Sequence, residues 1–260
     1  MVEQPVTSEP RTVTALLDRL SSARSSEPAG IAFDADGTLW SGDVGEDVFE
    51  TTTERGLLRE DARAELAATA RRFGVPMDGG PSEIAGRLYA AYRAGTVPEL
   101  VMCEVMTWAY AGFGVDELRE RARETFSDRK LGARVRAFLG PIFDWARTED
   151  VRVVVVSASP RLIVAEALSA TGIAVDDLAG AVALEDAGTI RPGLLGKVPY
   201  AGEKRVAGER LLAGRQWLAS FGDNAFDVEM LRRATVGVAV HPKPALRARL
   251  ADIDGVWLLE

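Results

Sequence analysis

Two aspartates separated by one residue follow a short apolar run near the N-terminus, in the segment Ile31-Ala32-Phe33-Asp34-Ala35-Asp36-Gly37. The apolar run predicts a buried β-strand, and Gly37 predicts that the strand ends there. Two carboxylates beside a buried strand cost free energy unless a cation or a substrate interacts with them. The carboxyl ends of parallel strands are also where open α/β sheets bind ligands. Asp34 and Asp36 therefore mark either a functional site or a simple Asp-Gly turn that leads into a helix.

A second apolar run, Val151 to Val156, ends in the polar segment Ser157-Ala158-Ser159-Pro160. The proline predicts the start of a helix over Arg161 to Thr171, because proline is favoured at the first helical position. A hydroxyl group beside the free backbone N–H groups of a helix N-terminus forms an anion site. The end of the second predicted strand is therefore a candidate binding site for a negatively charged group.

A third apolar run, Gln216 to Phe221, precedes Gly222-Asp223-Asn224-Ala225-Phe226-Asp227, and again acidic residues follow a strand. Between the second and third runs lies Gly202-Glu203-Lys204, just before a helical pattern over Arg205 to Leu212. The chain therefore carries, in order, an acid pair, a hydroxyl, a lysine and a second acid pair, with three of the four groups at strand ends.

This order resembles the four motifs of the haloacid dehalogenase superfamily, and specifically its phosphatase branch. The matching positions are Asp34-x-Asp36-Gly37-Thr38, Ser157, Lys204 and Gly222-Asp223-x-x-x-Asp227. The segments around Ala158-Ser159-Pro160 and Val238 to Pro242 are most similar to the phosphoserine-phosphatase-like subgroup. The resemblance covers about half of the chain, Ile31 to Asp43 and Val151 to Glu260. Each motif alone is weakly specific, but the four in this order are a specific signal.

The chain between the first and second strands has a different pattern from the rest. Apolar residues recur there at helical spacing, over Asp61 to Phe73, Ser82 to Ala94, Pro98 to Ala111 and Asp116 to Phe126. We therefore predict an α/β fold with a Rossmann-like core and a parallel sheet, formed by residues 1–45 and 141–260. An all-helical cap domain, residues 46–140, is predicted as an insertion that determines substrate specificity.

Three shorter segments complete the predicted organisation. The pattern over Val13 to Leu20 predicts an N-terminal helix, and Ser21 to Ser26 predicts a serine-rich linker after it. Strands and helices alternate again after Val151, which is typical of a doubly wound parallel sheet. Within that part, Ala181 to Ile190 predicts a small β-hairpin.

Composition excludes several classes of function. The 260 residues carry 31 basic and 39 acidic side chains, a net charge of −8, which argues against nucleic acid as a partner. A single cysteine and a single histidine exclude an internal disulfide and Cys/His zinc clusters. No apolar run has the length of a membrane span, and Met1 to Pro10 is polar and acidic, unlike a secretory signal. We expect a cytoplasmic protein without a membrane partner, and the oligomeric state is left open.

The resemblance implies the roles of the acidic residues. Asp34 would be the nucleophile and form an aspartyl-phosphate, while Asp36 would protonate the leaving oxygen and later activate water. Mg²⁺ would be the cofactor, held by Asp34, the backbone carbonyl of Asp36, and Asp223. Asp36 also favours the phosphatase branch over the dehalogenases, since dehalogenases of this superfamily lack the second aspartate.

The phosphate would be bound by Ser157, by amides near it such as that of Ala158, by Gly37 and by Lys204. Lys197 is a rival for the lysine position, and Lys204 is preferred because it directly precedes a helix. Asp227 would orient Lys204 or a metal-bound water, or it would only be a favourable charge at a helix start. Asn224 is either a metal ligand or a helix cap.

Asp43 stands seven residues after Asp36, where phosphoserine phosphatases carry a glutamate that meets the substrate amine. Amine recognition and a helix N-cap for Val44 to Glu54 are both consistent with this position. Glu46 is a second, weaker candidate.

The predicted function is a Mg²⁺-dependent phosphatase that acts on a small phosphorylated metabolite. A phosphotransferase or phosphomutase would use the same intermediate and pass the phosphoryl group to another hydroxyl. A member of the superfamily that only binds a ligand is the third possibility, although the intact set of motif residues argues against it.

Overall fold

The computed structural model describes residues 12–260. The predictions for the polar segment Met1 to Pro10 lie outside the described residues. Within residues 12–260, no helix combines the length and apolar character that crossing a membrane requires.

A six-stranded parallel sheet forms the centre of the molecule, in the spatial order β3-β2-β1-β6-β7-β8. Its strands are β1 (Ala29–Phe33), β2 (Arg152–Pro160), β3 (Asp177–Ala181), β6 (Gln216–Gly222), β7 (Val236–Val240) and β8 (Trp257–Leu259). A separate antiparallel hairpin pairs β4 (Ala183–Asp186) with β5 (Thr189–Leu194). The order confirms the predicted doubly wound α/β fold, and β1 lies in the middle, between β2 and β6.

Twelve α-helices surround or extend from the sheet in the described part of the chain. They are α1 (Val13–Ala23), α2 (Val44–Glu54), α3 (Arg63–Arg72), α4 (Pro81–Arg93), α5 (Glu99–Trp108), α6 (Val115–Asp128), α7 (Leu131–Arg134), α8 (Gly140–Thr148), α9 (Arg161–Thr171), α10 (Gly202–Leu211), α11 (Val228–Arg233) and α12 (Pro244–Arg247). Short 3₁₀ turns lie at Glu60–Ala62, Ala137–Leu139, Ala225–Asp227 and Leu250–Asp252. Every regular element between β1 and β2 is helical, as predicted for the inserted cap.

The serine-rich linker is shorter than predicted. Helix α1 continues through Ser21 and Ser22 to Ala23, whereas the sequence pattern predicted its end at Leu20. The Ser22 hydroxyl donates a hydrogen bond to the Asp18 carbonyl, 2.8 Å away. This bond within the helix satisfies a side chain that would otherwise favour a turn.

The centre of the sheet is held by aromatic packing on one face of β1. All five residues of β1 are buried. The Phe33 ring lies 4.1 Å from the Phe221 ring on β6 and 5.0 Å from the Phe143 ring on α8, measured between centroids. Because Phe33 directly precedes Asp34, these contacts fix the end of the strand that carries the acid pair.

The hairpin contacts the helical insertion through backbone hydrogen bonds. It begins two residues later than predicted and ends at Leu194. The Gly112 amide donates to the Ile190 carbonyl, and the Ile190 amide donates to the Phe113 carbonyl, both at 2.9 Å. The hairpin thus adds a further connection between the core and the insertion, besides the two crossing points of the chain.

We expect Phe33→Ala to lower the free energy of unfolding by about 3–5 kcal/mol, because it removes a fully buried ring from this stack and leaves a cavity. Denaturant unfolding monitored by circular dichroism would measure the change. The control is Leu195→Ala, because Leu195 is 67% exposed. It should change the free energy of unfolding by no more than about 0.5 kcal/mol. Equal effects of the two substitutions would contradict this account of the core.

Candidate active site

The predicted site residues converge at the carboxyl edge of three neighbouring strands. Phe33, the last residue of β1, is in register with Val155 on β2 and Phe221 on β6. The segments that follow these residues therefore begin side by side, although β2 itself continues to Pro160. This register brings the acid pair, the serine segment and the second acid pair to one place on the sheet.

Lys204 joins two of these loops through buried ion pairs. Its Nζ lies 2.7 Å from Asp34 Oδ1 and 2.6 Å from Asp227 Oδ1, and all three residues are buried. Lys197 instead pairs with Glu203 at the surface, where its side chain is 78% exposed. The choice of Lys204 over Lys197 thus agrees with the geometry. Lys204 does not precede its helix as predicted, because α10 already begins at Gly202.

Asp227 fixes both the lysine and the loop after β6. Its Oδ2 accepts hydrogen bonds from the backbone amides of Asp223 and Asn224, at 3.0 and 2.9 Å. The Asn224 side chain caps the following 3₁₀ turn by accepting from the Ala225 amide at 2.7 Å. These contacts support the interpretation of Asn224 as a helix cap. They also show that Asp227 is more than a favourable charge at a helix start, because it binds both Lys204 and the loop.

Asp223 lies against the first loop. A Cβ atom on Gly37, whose φ is +82°, would overlap the Asp223 carboxylate. Glycine is therefore required there both for its backbone conformation and for the close approach. Oxygens of Asp34, Asp223 and Asp227 lie within 4.8 Å of one another. Asp223 Oδ2 pairs with Lys243 Nζ at 3.0 Å, while Oδ1 is buried and makes no hydrogen bond within the described residues.

Three donors hold the Asp36 carboxylate. Its Oδ1 accepts from Trp40 Nε1 and from the Val44 amide, each at 2.8 Å, and its Oδ2 accepts from Ser159 Oγ at 2.7 Å. Burial raises the pKa of Asp36, and the hydrogen bonds from Ser159, Val44 and Trp40 oppose that shift. Asp36 is therefore a second acid whose surroundings differ from those of Asp34.

The charge balance around Asp34 favours binding of a cation. Burial raises the pKa of Asp34 well above its usual value, and the charge of Asp227 adds to this shift, whereas Lys204 opposes it. Although burial opposes it, the carboxylates of Asp227 and Asp34 raise the pKa of Lys204, which keeps the lysine protonated. One ammonium thus faces two carboxylates, with Asp223 nearby.

The serine segment lies at the end of β2, directly before α9. Ser157 is buried, and its Oγ accepts from the Ser159 amide at 3.0 Å. Ala158 between them is half-buried. The hydroxyl and the adjoining backbone are therefore placed beside the acid pair, as the sequence predicts.

Asp43 caps helix α2, since its Oδ1 accepts from the Glu46 amide at 2.8 Å. The residue is half-buried, and burial raises its pKa well above the usual value, with Asp36 and Glu46 adding to the shift. The Glu46 carboxylate accepts hydrogen bonds from the hydroxyls of Tyr89 and Tyr92, at 2.9 and 3.0 Å. The cap interpretation of Asp43 is thus supported, and Glu46 already has partners within the insertion.

Sequence reasoning assigned no role to three residues of the site: Lys243, Ser159 and Trp40. Lys243 follows β7, the neighbour of β6, so a cation at that strand end was a possible signal. Ser159 stands two residues after Ser157 on the same strand, and strand alternation places such residues on one side. The Trp40 contact depends on the path of the loop and has no comparable sequence signal.

Comparison with known proteins gives the family of this chain and a set of structures with the same fold. The family model described as haloacid dehalogenase-like hydrolase matches residues 31–232. No curated protein sequence matches the chain.

Several solved structures share the fold. A protein of unknown function from Bordetella pertussis Tohama I superposes with a TM-score of 0.69 at 19% identity, covering 90% of this chain and 99% of the other. A phosphoserine phosphatase in its apo form gives 0.56 at 13% identity, covering 90% and 94%. A cytosolic 5'-nucleotidase IIIB bound to cytidine gives 0.57 at 15% identity, covering 95% and 84%. Since the family model spans most of the 260 residues, the chain belongs to the haloacid dehalogenase-like hydrolase family.

Proposed function

We propose that this protein is a Mg²⁺-dependent phosphatase that hydrolyses a small phosphorylated metabolite through an aspartyl-phosphate. The main support is the arrangement of two acids with different surroundings on one loop. Asp34 is ion-paired to Lys204, while Asp36 is held by neutral donors. A nucleophile and a proton donor need such different environments.

The donor set fits Mg²⁺. Asp223 Oδ1 is a buried carboxylate oxygen without a hydrogen-bond partner in the described structure, and it belongs to a cluster with Asp34. An unpartnered buried oxygen of this kind is costly unless a cation binds it. Mg²⁺ prefers a few carboxylate oxygens and retains several waters. Asp34, Asp223 and the backbone carbonyl of Asp36 would hold the ion, which would neutralise charge on the phosphoryl oxygens.

In the first half-reaction, an oxygen of Asp34 attacks phosphorus and the ester P–O bond breaks. Asp36 gives its proton to the departing oxygen, so the alcohol leaves neutral. Ser157, the amides beside it and Lys204 bind the phosphoryl oxygens. Lys204 is suited to this because its ammonium is already fixed by Asp34 and Asp227.

In the second half-reaction, water attacks the phosphorus of the aspartyl-phosphate. Asp36, now a carboxylate, takes a proton from that water, and the bond between phosphorus and the Asp34 oxygen breaks. Inorganic phosphate leaves, and both aspartates return to their starting forms. The same residue therefore acts as acid and then as base.

Substrate selection is proposed for the helical insertion, residues 46–140, and for the loop that carries Asp43. The half-buried Asp43 has a second oxygen beyond its cap bond that could accept from a substrate amine. Phosphoserine phosphatase and a 5'-nucleotidase are among the proteins with this fold, which supports a small phosphate monoester as substrate. A phosphotransferase remains the second candidate, because the chemistry of Asp34 is common to both. The cytoplasmic location and the absence of nucleic-acid and membrane partners stay predictions.

We expect phosphate release from some members of a panel of phosphorylated metabolites, phosphoserine included, in Mg²⁺ but not in EDTA. Asp34→Asn should lower that release at least about 10³-fold, because it removes the nucleophile on which the covalent route depends. Asp254→Asn, at an exposed position, is the matched control and should leave the rate unchanged. Full activity of Asp34→Asn would contradict the nucleophile assignment, and release of the leaving alcohol without phosphate would favour a transferase.

Mg²⁺ binding can be measured without turnover. At a concentration of 100 times its Kd, Mg²⁺ should raise the free energy of unfolding of the wild type by about 2.7 kcal/mol. Asp223→Asn should lose most of this Mg²⁺-dependent increment, because one carboxylate ligand is gone, whereas Asp254→Asn should keep it. Thermal unfolding at several Mg²⁺ concentrations would measure the increment. An undiminished increment in Asp223→Asn would contradict the proposed ligand set.

A further inference from the structure

We propose that Ser159 is a positioning residue for Asp36, and that its hydroxyl fixes the carboxyl group from which the leaving oxygen takes its proton. This inference rests on the proposed phosphatase function. The motif match assigns the serine role to Ser157 and leaves Ser159 without one. The structure places the Ser159 hydroxyl 2.7 Å from Asp36 Oδ2.

The three donors to Asp36 come from different elements. Trp40 is on the loop after β1, the Val44 amide is in the first turn of α2, and Ser159 is on β2. Trp40 and Val44 both bind Oδ1, so Ser159 alone holds Oδ2 among the described residues. The hydrogen bonds to Oδ1 already resist rotation of the carboxylate about its Cβ–Cγ bond, and the bond from Ser159 to the other oxygen restricts that rotation further.

The surroundings make the contact rigid. Ser159 is 5% exposed. A Cβ atom on Gly45 would lie 3.3 Å from Ser159 Oγ and 3.2 Å from Pro160 Cδ. The backbone of α2 therefore packs directly on the serine, and a larger residue at position 45 would force the two apart.

Ser159 also connects the proton donor to the phosphate-binding hydroxyl. Its amide donates to Ser157 Oγ at 3.0 Å while its own hydroxyl donates to Asp36. One residue thus orients a group that binds phosphate and a group that protonates the leaving oxygen. A shift of a few tenths of an ångström in either would misalign the proton with its acceptor.

The chemistry of the leaving group distinguishes positioning from a structural role. An alkoxide must be protonated as it leaves, whereas a 4-nitrophenolate leaves without a proton. Loss of the Ser159 hydroxyl should therefore slow only the first kind of ester. The constant kcat/KM includes the steps up to departure of the alcohol and omits hydrolysis of the aspartyl-phosphate, in which Asp36 also acts.

The experiment compares 4-nitrobenzyl phosphate with 4-nitrophenyl phosphate, two esters of similar size, in Mg²⁺. In Ser159→Ala, kcat/KM for the benzyl ester should fall at least about tenfold, a part of the 10²–10⁴-fold that general acid catalysis contributes. For the phenyl ester it should fall by no more than about threefold. Ser157→Ala is the matched control and should lower both constants alike, because phosphate binding is common to both esters.

Equal losses on the two esters in Ser159→Ala, or no loss on the benzyl ester, would overturn the proposal. If circular dichroism shows that Ser159→Ala does not fold, Ser159→Cys replaces it, because cysteine has a side chain of similar size but is a weak hydrogen-bond donor. The same losses of kcat/KM are then expected, and the same results would overturn the proposal. A wild type that hydrolyses neither these esters nor any member of the metabolite panel would overturn the proposed function and this inference with it. If only panel members are hydrolysed, an undiminished kcat/KM of Ser159→Ala on the best alkyl phosphate of the panel would overturn the inference alone. A wild type active on both esters, with equal losses in the variants, would overturn the inference alone.

Discussion

The buried ion pairs of Lys204 with Asp34 and Asp227 hold the site together. Each charge lost its hydration when it was buried, and the opposite charges at 2.7 and 2.6 Å offset that loss, together with the two backbone amides that donate to Asp227. Removal of Lys204 would leave two buried carboxylates uncompensated, and breaking a buried pair in this way typically costs about 3–5 kcal/mol. The pairs join the end of β1, the first turn of α10 and the turn after β6. The relative position of these three segments therefore depends on one ammonium group.

Asp36 connects this core to the helical insertion. Its carboxylate accepts from the Val44 amide at the start of α2 and from Ser159 on β2. Any movement of α2 relative to the sheet must therefore lengthen at least one of these bonds. The hairpin adds backbone contacts between the core and residues 112–115. In the structure described, the orientation of the Asp36 carboxylate thus depends on the position of this helix.

The sequence predicted the parts of the site that follow strands, because apolar runs are reliable signals and parallel strands place their carboxyl ends at one edge. Asp34, Asp36, Ser157 and Asp223 were predicted in this way. Lys204 was chosen from a predicted helix start, although α10 already begins at Gly202. The Asp36 contacts with Trp40 and Ser159 could not be predicted, since they depend on the loop path and on the approach of α2 over Gly45. The contact of Lys243 with Asp223 joins loops from two neighbouring strands. The sequence pattern does not indicate the distance between the Lys243 and Asp223 side chains.

The charge count supports the proposed binding of a divalent cation. Asp34, Asp223 and Asp227 bring three carboxylates within 4.8 Å, while Lys204 and the half-exposed Lys243 bring two ammonium groups. Burial and the remaining negative charge raise the pKa of Asp34, yet Asp34 must be ionised to act as the proposed nucleophile. A cation beside Asp34 and Asp223 would favour the ionised form and would also offset the charge of an incoming phosphate. The excess negative charge that destabilises the ligand-free site would therefore stabilise the site once a metal ion and the substrate are bound.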